Sequence, residues 1–570
     1  MRAHLERIER SFAFAKAERL RTFLRFVVET TCAGEAHTLK EYSIALAVCA
    51  RPPSFDPKVD SIVRVDANRL RARLEAYYSV EGRDDELRIQ LPKGTYVPTF
   101  TPIEKGGEAR PRASLVVLPF LSVGPHADAE SFTDGLTEEL IHQLSLIPGL
   151  RVIARTSAFQ YRGKGGDLPR IASDLGVDHV VEGSVRWAGD RLRATAQLTD
   201  VHACSVRWSE QYDRGLADVF ALQDDICRNI ARALRMQLVD STRASRPSAD
   251  SRAHVEYLKG RHFWNRRTAA SLGRSLEYYR RALAIDPGFA PAHCGVADTF
   301  LVQALNEQVD AGSALAEASA HARQATELAP HLAEAWTSAA SVASILEWDW
   351  DRGDALFRRA IELNPRLPLA HYLHAIFNLA PRGRWDEALI AMDRALELDP
   401  ASPALNRDLG MVHYLRGEYR EAEEALRGAE ALDPAFHGAL FWLGRTCAEQ
   451  GRLDDALATF EARRDEPAAN TRVLASVVHT LAAMGRHADA MHRFESLQRR
   501  ASAGGVPPLN LAIALIGLGR HDDALAQLER ALAERAVPLY QLCVDPLFVP
   551  LRGTQRFLAI LRRMKLAVAA

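Results

Sequence analysis

The stretch Gly383-Arg-Trp-Asp-Glu-Ala388, followed by Asp399-Pro400, decides the fold of the second half of this chain. Its glycine and its alanine, five residues apart, both recur every 34 residues. The glycines are Gly383, Gly417, Gly451, Gly485 and Gly519, and the alanines are Ala388, Ala422, Ala456, Ala490 and Ala524. A period of about 34 residues is typical of helix–turn–helix units that stack into a superhelix. We therefore predict an all-α superhelix here.

Each position of the repeat has a physical reason. The glycine is expected to end the first helix of a unit in the left-handed conformation, and the alanine to sit where two helices cross closely. The proline that follows closes the second helix because it cannot continue one. The same closure recurs at Asp286-Pro287, Ala329-Pro330, Asn364-Pro365 and Asp433-Pro434. These signals predict repeats over residues 254–536, with capping helices over residues 537–570.

Further residues fit the same pattern, including Leu409-Gly410, Leu443-Gly444, Phe460 and Ala395. Together they resemble the tetratricopeptide repeat family. The resemblance implies a protein-binding array in which the first helix of each unit lines a concave groove. The groove candidates are Arg407, Met411, Tyr414, Phe441 and Arg445. The alternative is that these side chains merely fill the interior of the superhelix.

Composition limits the class of protein. The chain has 570 residues, of which 47% are hydrophobic and 25% charged, which is ordinary for a globular protein. The net charge of −1 gives no whole-chain attraction to nucleic acid or anionic membrane, although a local basic surface stays open. The seven cysteines include no CxxC pair, so we expect reduced thiols and no zinc site. No apolar run reaches membrane-spanning length, and the N-terminus is too charged for a secretory signal, so we expect a cytoplasmic protein without a membrane span.

The middle of the chain has a different pattern. Short apolar runs predict strands at 114–120, 151–155, 180–186, 192–198 and near 206–208, with helices opening at Thr133 and covering about 168–175 and 220–238. We therefore predict a small α/β sandwich over residues 114–239. The segments SLVVLPF, DGLTEEL and LGVDHVVEGSV resemble the TolB amino-terminal-type domain. That resemblance implies a non-catalytic interaction or sensing module.

No pattern in this region indicates chemistry. The stretch Tyr161-Arg-Gly-Lys-Gly-Gly-Asp167 lacks the spacing of a phosphate-binding loop and is expected to be a surface loop. His142 and His179 have no nucleophilic partner in the sequence and are expected to be structural. We find no candidate catalytic residue, metal ligand or cofactor motif, and so expect that the chain is not an enzyme.

The N-terminal region, residues 1–103, carries an arginine-rich amphipathic helix. Helices are expected at about 17–31, 40–48 and 60–78, and two strands around a Pro-Lys-Gly turn at 87–100. On the third helix Val63, Ala67, Leu70, Leu74 and Tyr77 form one apolar stripe. Polar residues flank that stripe on both sides.

Three helices followed by a hairpin, with the sequences Leu-Arg-Ala-Arg-Leu and Leu-Pro-Lys-Gly-Thr-Tyr, resemble the winged helix-turn-helix of OmpR-type regulators. The resemblance implies that the third helix enters the major groove and that the hairpin contacts the DNA backbone. The residues that would contact DNA are Arg64, Asn68, Arg69, Arg71, Arg73 and Lys93. Two alternatives stay open: a solvated helix face with local ion pairs, and a winged helix that binds protein.

The three regions together define a multidomain α plus α/β protein with a winged helix, a small α/β sandwich and a tetratricopeptide superhelix. The first functional hypothesis is a bacterial cytoplasmic transcription regulator that binds double-stranded DNA and a partner protein in its groove. The alternative is a non-catalytic scaffold for a signalling or envelope-related complex. Either could act as a homodimer.

Overall fold

The computed structural model divides the chain into two compact units, residues 1–110 and 111–570, each described by itself below. It describes residues 4–566 with gaps at 6, 9–10, 12–13, 15–17, 49–50, 53–54, 56–61, 80–84, 86, 93–94, 103–112, 125–128, 165, 189–190, 216–218, 237–249, 307, 435–437, 463–470 and 503–505.

The first unit contains three helices followed by a hairpin. The helices are α1 (Glu18–Cys32), α2 (Glu41–Ala47) and α3 (Ile62–Ser79), and the antiparallel strands are β1 (Leu87–Gln90) and β2 (Thr99–Pro102). The stripe predicted on α3 is buried throughout, at Val63, Ala67, Leu70, Leu74 and Tyr77. It packs against apolar residues of α1, α2 and β1 in one core. The order and approximate limits of these elements match the prediction.

The second unit opens with a region of strands and helices. The strands are β3 (Ala113–Val117), β4 (Leu121–Val123), β5 (Leu150–Val152), β6 (His179–Ala188), β7 (Arg191–Asp200) and β8 (Ser205–Gly215). The helices are α4 (Ala129–Ser145), α5 (Arg155–Phe159), α6 (Leu168–Leu175) and α7 (Val219–Ala233).

These strands form one sheet in the order β5-β3-β6-β7-β8, with β4 also paired to β6. The pairs around β3 are parallel, whereas β6, β7 and β8 are antiparallel. All five residues of β3 are buried, as expected for a strand covered on both faces. Along β7 buried and exposed residues alternate, so one face of that part of the sheet is open to solvent. The strands were predicted well, but α4 begins four residues before Thr133, and β4 and α5 were not predicted.

The rest of the second unit is helical, and its described residues form eight helix pairs. The pairs are α8 (Ser251–Asn265) with α9 (Ala269–Ile285), α10 (Ala290–Leu305) with α11 (Ala311–Leu328), α12 (Ala333–Ile345) with α13 (Trp350–Leu363), α14 (Pro368–His374) with α15 (Trp385–Leu398), α16 (Pro403–Arg416) with α17 (Tyr419–Leu432), α18 (Gly438–Glu449) with α19 (Leu453–Glu461), α20 (Thr471–Ala483) with α21 (His487–Ser502), and α22 (Pro508–Gly517) with α23 (His521–Ala533). Beyond them lie two 3-10 turns, Val537–Gln541 and Pro546–Leu551, and α24 (Gln555–Arg563). Helix α14 continues as a π turn, Ala375–Leu379, and a 3-10 turn, Ala380–Arg382.

The repeat residues have the structural roles that the sequence predicted. All five glycines adopt the left-handed conformation, with φ between 70° at Gly383 and 87° at Gly417. All five alanines are completely buried, as required where helices cross at close range. Every predicted proline closure follows the last residue of a second helix. The spacing of small residues therefore identified the array and most of its helix limits.

Candidate protein-interaction surface

The predicted groove residues do lie close together on neighbouring first helices. The guanidinium carbon of Arg445, on α18, is 4.9 Å from the ring centre of Tyr414 on α16 and 5.8 Å from that of Phe441. Met411 lies on the same helix as Tyr414. The inner faces of consecutive units therefore form one continuous surface.

That surface is already covered by the chain's own C-terminal residues. We call residues 537–551 the strap. Met411, Tyr414, Phe441 and Arg445 are all buried, and most residues of the strap are buried with them, although Val549 is exposed. Helix α24 packs on α23 as a cap would, through Arg556 and Glu529 at 2.8 Å. The strap itself, however, runs inside the array, although the sequence had suggested only capping helices.

The strap contacts the fourth and fifth helix pairs. The ring of Tyr540 meets that of Phe377 edge-on, with centres 5.7 Å apart. The amide of Gln541 lies 2.9 Å from the sulfur of Met411, and the thiol of Cys543 is 3.2 Å from the carbonyl of Pro381. Three consecutive contacts of the strap are therefore with the region of these two pairs.

A buried ion pair anchors the strap near its middle. The guanidinium of Arg445 donates to both carboxylate oxygens of Asp545, over 2.9 and 2.6 Å, and both side chains are only 4% exposed. Burial opposes the charge on Arg445, but the Asp545 carboxylate outweighs it and raises the pKa of Arg445 above its usual range. Tyr414, Trp442 and Phe441 surround the guanidinium with ring centres within 6 Å.

Two neighbouring groups complete this anchor. Asp545 also accepts a hydrogen bond from the backbone N–H of Leu547, over 3.0 Å, which caps the second turn of the strap. Burial lowers the pKa of His479 to about 4, and the positive charge of Arg445 adds to this effect. His479 is therefore neutral at physiological pH and adds no second positive charge beside Arg445.

The remaining groove candidate, Arg407, is half-buried and bound to its neighbour. Its guanidinium donates to Asp408 over 2.7 and 2.6 Å, and Asp408 also accepts from the hydroxyl of Tyr372. A role for these five residues in partner binding stays a prediction. Such a role requires the strap to leave the groove, because the strap fills the space that a partner would take.

The C-terminal end also closes on the middle of the array. The indole N–H of Trp350 donates to the carbonyl of Met564 over 2.8 Å, across 214 residues of sequence. Arg535 donates to the carbonyl of Leu346 over 3.2 Å and lies above the ring of Trp348. The superhelix therefore bends until its third pair meets the segment that follows its eighth.

The sheet region of the second unit is joined to the array by buried polar contacts. On one side, α4 packs against α8. Asp134 accepts from His262 over 2.9 Å, and Glu138 binds both Arg261 and Arg155, with Nε–carboxylate distances of 2.9 and 3.1 Å. These contacts make the sheet region and the first helix pair a single body.

A second set of contacts uses the loops that close the helix pairs. The hydroxyl of Ser157 donates to Asp399 over 2.5 Å and accepts from the backbone N–H of Ala401 over 2.7 Å. Asp399 is the residue of the predicted Asp-Pro closure, and burial raises its pKa. In this fold the closure therefore does more than end α15, because it also docks the sheet region.

His142, predicted to be structural, takes part in the same interface. Its ring nitrogen lies 3.0 Å from the carboxylate of Glu334, the second residue of α12. Burial alone would lower the pKa of His142, but the Glu334 carboxylate outweighs burial and raises it to about 9. His179, the other isolated histidine, lies 3.9 Å from Asp200 within the sheet.

The predicted DNA-contacting residues all fall in the first unit. Arg71 donates to the backbone carbonyls of Leu91, Pro92 and Thr95 over 2.7, 3.0 and 3.3 Å, so its guanidinium fastens the hairpin to α3. Arg73 is half-buried on the same helix. The backbone of Arg64, Asn68 and Arg69 lies in α3, whereas their side chains, and all of Lys93, lie outside the described residues. The sequence did not predict this structural role of Arg71, because its partners are backbone carbonyls, which every residue type carries.

The described residues contain neither a metal-binding cluster nor a membrane-spanning helix. Among them, no three His, Cys, Asp or Glu side chains are placed to hold a metal ion. In the same residues, every helix is too short or too polar to cross a membrane.

Comparison with known proteins agrees with the array. Models of the tetratricopeptide repeat match residues 349–403, 407–469 and 509–530. The chain therefore contains tetratricopeptide repeats, which act as protein–protein interaction scaffolds. A curated protein of Rhizobium meliloti (strain 1021), named putative adenylate cyclase 3, is 39% identical over 199 residues. That match covers 34% of this chain and 34% of the relative, so the chain spans about a third of the relative's length.

Solved structures are more distant. The human IFIT1 dimer with m7Gppp-AAAA is 16% identical and has a TM-score of 0.39, over 55% of this chain and 77% of that one. PilF of Pseudomonas aeruginosa is 18% identical with a TM-score of 0.29, over 38% of this chain and 96% of that one. At such TM-scores the overall shapes differ, and neither structure bears on the function of this chain.

Proposed function

We propose that this chain is a non-catalytic regulatory scaffold whose tetratricopeptide array, joined to the sheet region, binds a partner protein. The observation that carries the proposal is the continuous array of helix pairs from residue 251 to residue 533, since such arrays present extended surfaces to other proteins. The name of the curated relative belongs to that protein. A cyclase assay on the pure chain with ATP tests the non-catalytic part, and formation of cyclic AMP would refute it.

The strap makes the binding site testable. Full-length chain and the D545N variant, in which the strap loses its anchor, are each mixed with a purified partner found by co-purification. A partner that uses Arg407, Met411, Tyr414, Phe441 or Arg445 should bind D545N more tightly, because the strap then competes less. Equal binding would assign the partner to another surface. The scaffold proposal fails if neither form yields a stoichiometric complex that survives gel filtration.

DNA binding by the first unit is the second candidate. Its support is the order of elements, three helices followed by an antiparallel hairpin, together with the arginines of α3. The test is a mobility shift of full-length chain with double-stranded DNA at about 50 mM salt, where phosphate contacts are strongest. R64A is the informative variant, because Arg71 holds the hairpin. Absence of a shift at low salt would remove this candidate, and it would leave the scaffold proposal unaffected.

Cytoplasmic location and a homodimer remain further proposals, tested by cell fractionation and analytical ultracentrifugation.

A further inference from the structure

A set of cations surrounds two stacked aromatic rings on the outside of the first helix pair. The rings of Phe263, on α8, and Tyr278, on α9, are nearly parallel, with an angle of 2° and centres 5.4 Å apart. We call the rings and the cations around them the cation–aromatic patch. Its cations are Lys259, Arg266, Arg274 and Arg281.

The rings hold the cations in place. The guanidinium carbon of Arg274 lies 4.0 Å from the centre of the Phe263 ring, and that of Arg281 lies 5.0 Å from the centre of the Tyr278 ring. A side chain that is already ordered on a ring loses less conformational entropy when it binds a ligand. The cations of the patch are therefore preorganised for binding an anionic group.

The patch carries more positive than negative charge. Glu256 lies 3.1 Å from Lys259 and 4.0 Å from Arg281, which partly neutralises that end. Within the described residues, the contacts of Arg266 and Arg274 are with the ring of Phe263 and not with a carboxylate. Glu277 adds an exposed carboxylate on α9, between Arg274 and Arg281 in the sequence. The four cations thus face two carboxylates.

The arrangement favours a protein segment over nucleic acid. Single-stranded nucleic acid binds largely by stacking its bases on exposed aromatic faces. Phe263 and Tyr278 are each only 8% exposed, so no ring face is free for a base. Arg274 and Arg281 are seven residues apart on one helix, about 10 Å along its axis. A partner helix with carboxylates two turns apart matches that spacing.

An apolar contact lies on the same helix. Ile285, four residues beyond Arg281, is 38% exposed, which is unusual for an isoleucine. An acidic amphipathic helix could place an apolar side chain against Ile285 and its carboxylates against the two arginines. We propose that the cation–aromatic patch binds an acidic amphipathic helix of a partner protein, with carboxylates at seven-residue spacing. This inference rests on the proposed scaffold function and assigns it a surface.

The test uses full-length chain and a labelled helical peptide of about 20 residues, with glutamates at seven-residue spacing and a leucine on the same face. An otherwise identical peptide with glutamine is the ligand control. Fluorescence anisotropy should show binding of the glutamate peptide at about 50 mM salt and weaker binding at about 200 mM, because exposed charges are screened. Equal binding of the glutamine peptide, or no binding at low salt, would overturn the proposal.

Two double variants locate the site. The R274E/R281E chain should bind the glutamate peptide about tenfold more weakly or worse. The R359E/R530E chain changes the net charge equally at exposed arginines remote in sequence, whose acidic partners are Glu362 and Glu534, and should bind like the parent. The R274Q/R281Q chain removes the two positive charges without adding negative ones, so it should also bind the glutamate peptide more weakly. Circular dichroism checks that each variant is folded. Unchanged binding by R274E/R281E refutes the site.

Two further arms separate this inference from its alternatives. If poly-dT or phosphatidylserine vesicles bind more tightly than the glutamate peptide, and R274E/R281E abolishes that binding, the assigned partner class is wrong. If a co-purified protein partner binds R274E/R281E as well as the parent, the patch is refuted as the partner site while the scaffold proposal stands. If R274E/R281E loses both the peptide and the partner, both proposals are supported.

Discussion

Replacing Asp545 by asparagine should release the strap from the groove. The asparagine keeps the shape of the side chain and its bond to the N–H of Leu547, but it leaves the buried positive charge of Arg445 without the carboxylate that pairs with it. Removing one partner of a buried ion pair costs about 3–5 kcal/mol. The rings of Tyr414, Trp442 and Phe441 already surround the cation, so we expect a cost at the lower end of that range.

The net cost is therefore about 3 kcal/mol, which corresponds to a rise of about 100-fold in the equilibrium for opening the strap. Hydrogen exchange measured by mass spectrometry on peptides from residues 537–551 reports this opening directly. Exchange in those peptides should accelerate by about that factor, whereas peptides from β7 in the sheet region should be unchanged. E534Q, which removes a carboxylate from an exposed pair with Arg530, is the matched control and should have little effect.

The opposite substitution gives a second test. R445M leaves the carboxylate of Asp545 buried without its cation, so it should also raise the equilibrium for opening the strap. The same exchange measurement on peptides from residues 537–551 checks this expectation.

Two results would contradict this reasoning. The first is a D545N chain whose strap exchanges within about threefold of the parent, which would mean that the ion pair contributes little to holding the strap. The second is an R445M/D545N chain that opens more readily than D545N. Removing both charges should relieve the cost of an unpaired one.

Three further predictions concern other parts of the fold. Replacing Gly417, where φ is +87°, by alanine should lower the free energy of unfolding by about 1 kcal/mol, as measured by urea titration. An unchanged free energy of unfolding would refute a need for glycine there. The pair between His142 and Glu334 should stabilise the second unit fully below about pH 6.5 and lose its effect as the pH rises through about 9. In H142Q the melting temperature should vary less with pH between about 6.5 and 9. The same pH dependence in H142Q and the parent would contradict a stabilising role for this pair. R71A should destabilise the first unit by about 1–3 kcal/mol by removing the donor to three carbonyls. Loss of DNA binding without loss of thermal stability would show that Arg71 contacts DNA instead.

Local signals in the sequence were enough to predict most elements. The array followed from glycines that must adopt positive φ, alanines that allow close helix crossing, and prolines that end helices. The alternation along β7 and the apolar run of β3 likewise identified strands before their partners were known. These predictions were correct because each pattern reflects a structural constraint that acts within a few residues. Short elements without such a signal, β4 and α5, were missed.

Contacts between distant parts of the chain could not be predicted in this way. Ser157 and Asp399 are 242 residues apart, and each residue alone fits a helix start or a helix end. The groove candidates lie on the first helices of two neighbouring pairs, α16 and α18. Their burial under the strap depends on the path of residues 537–551, for which the sequence offers only apolar residues and prolines.

By itself, the sequence determined that the second half of this chain is an array of helix–turn–helix units and where most of its helices end. The reason is that helix ends and helix crossings are set by local backbone geometry. Only the tertiary structure decided that the array closes on its own C-terminal residues and carries the sheet region on its loops. Those outcomes depend on the accumulated curvature of eight stacked pairs, which brings Trp350 to Met564 and Arg445 to Asp545.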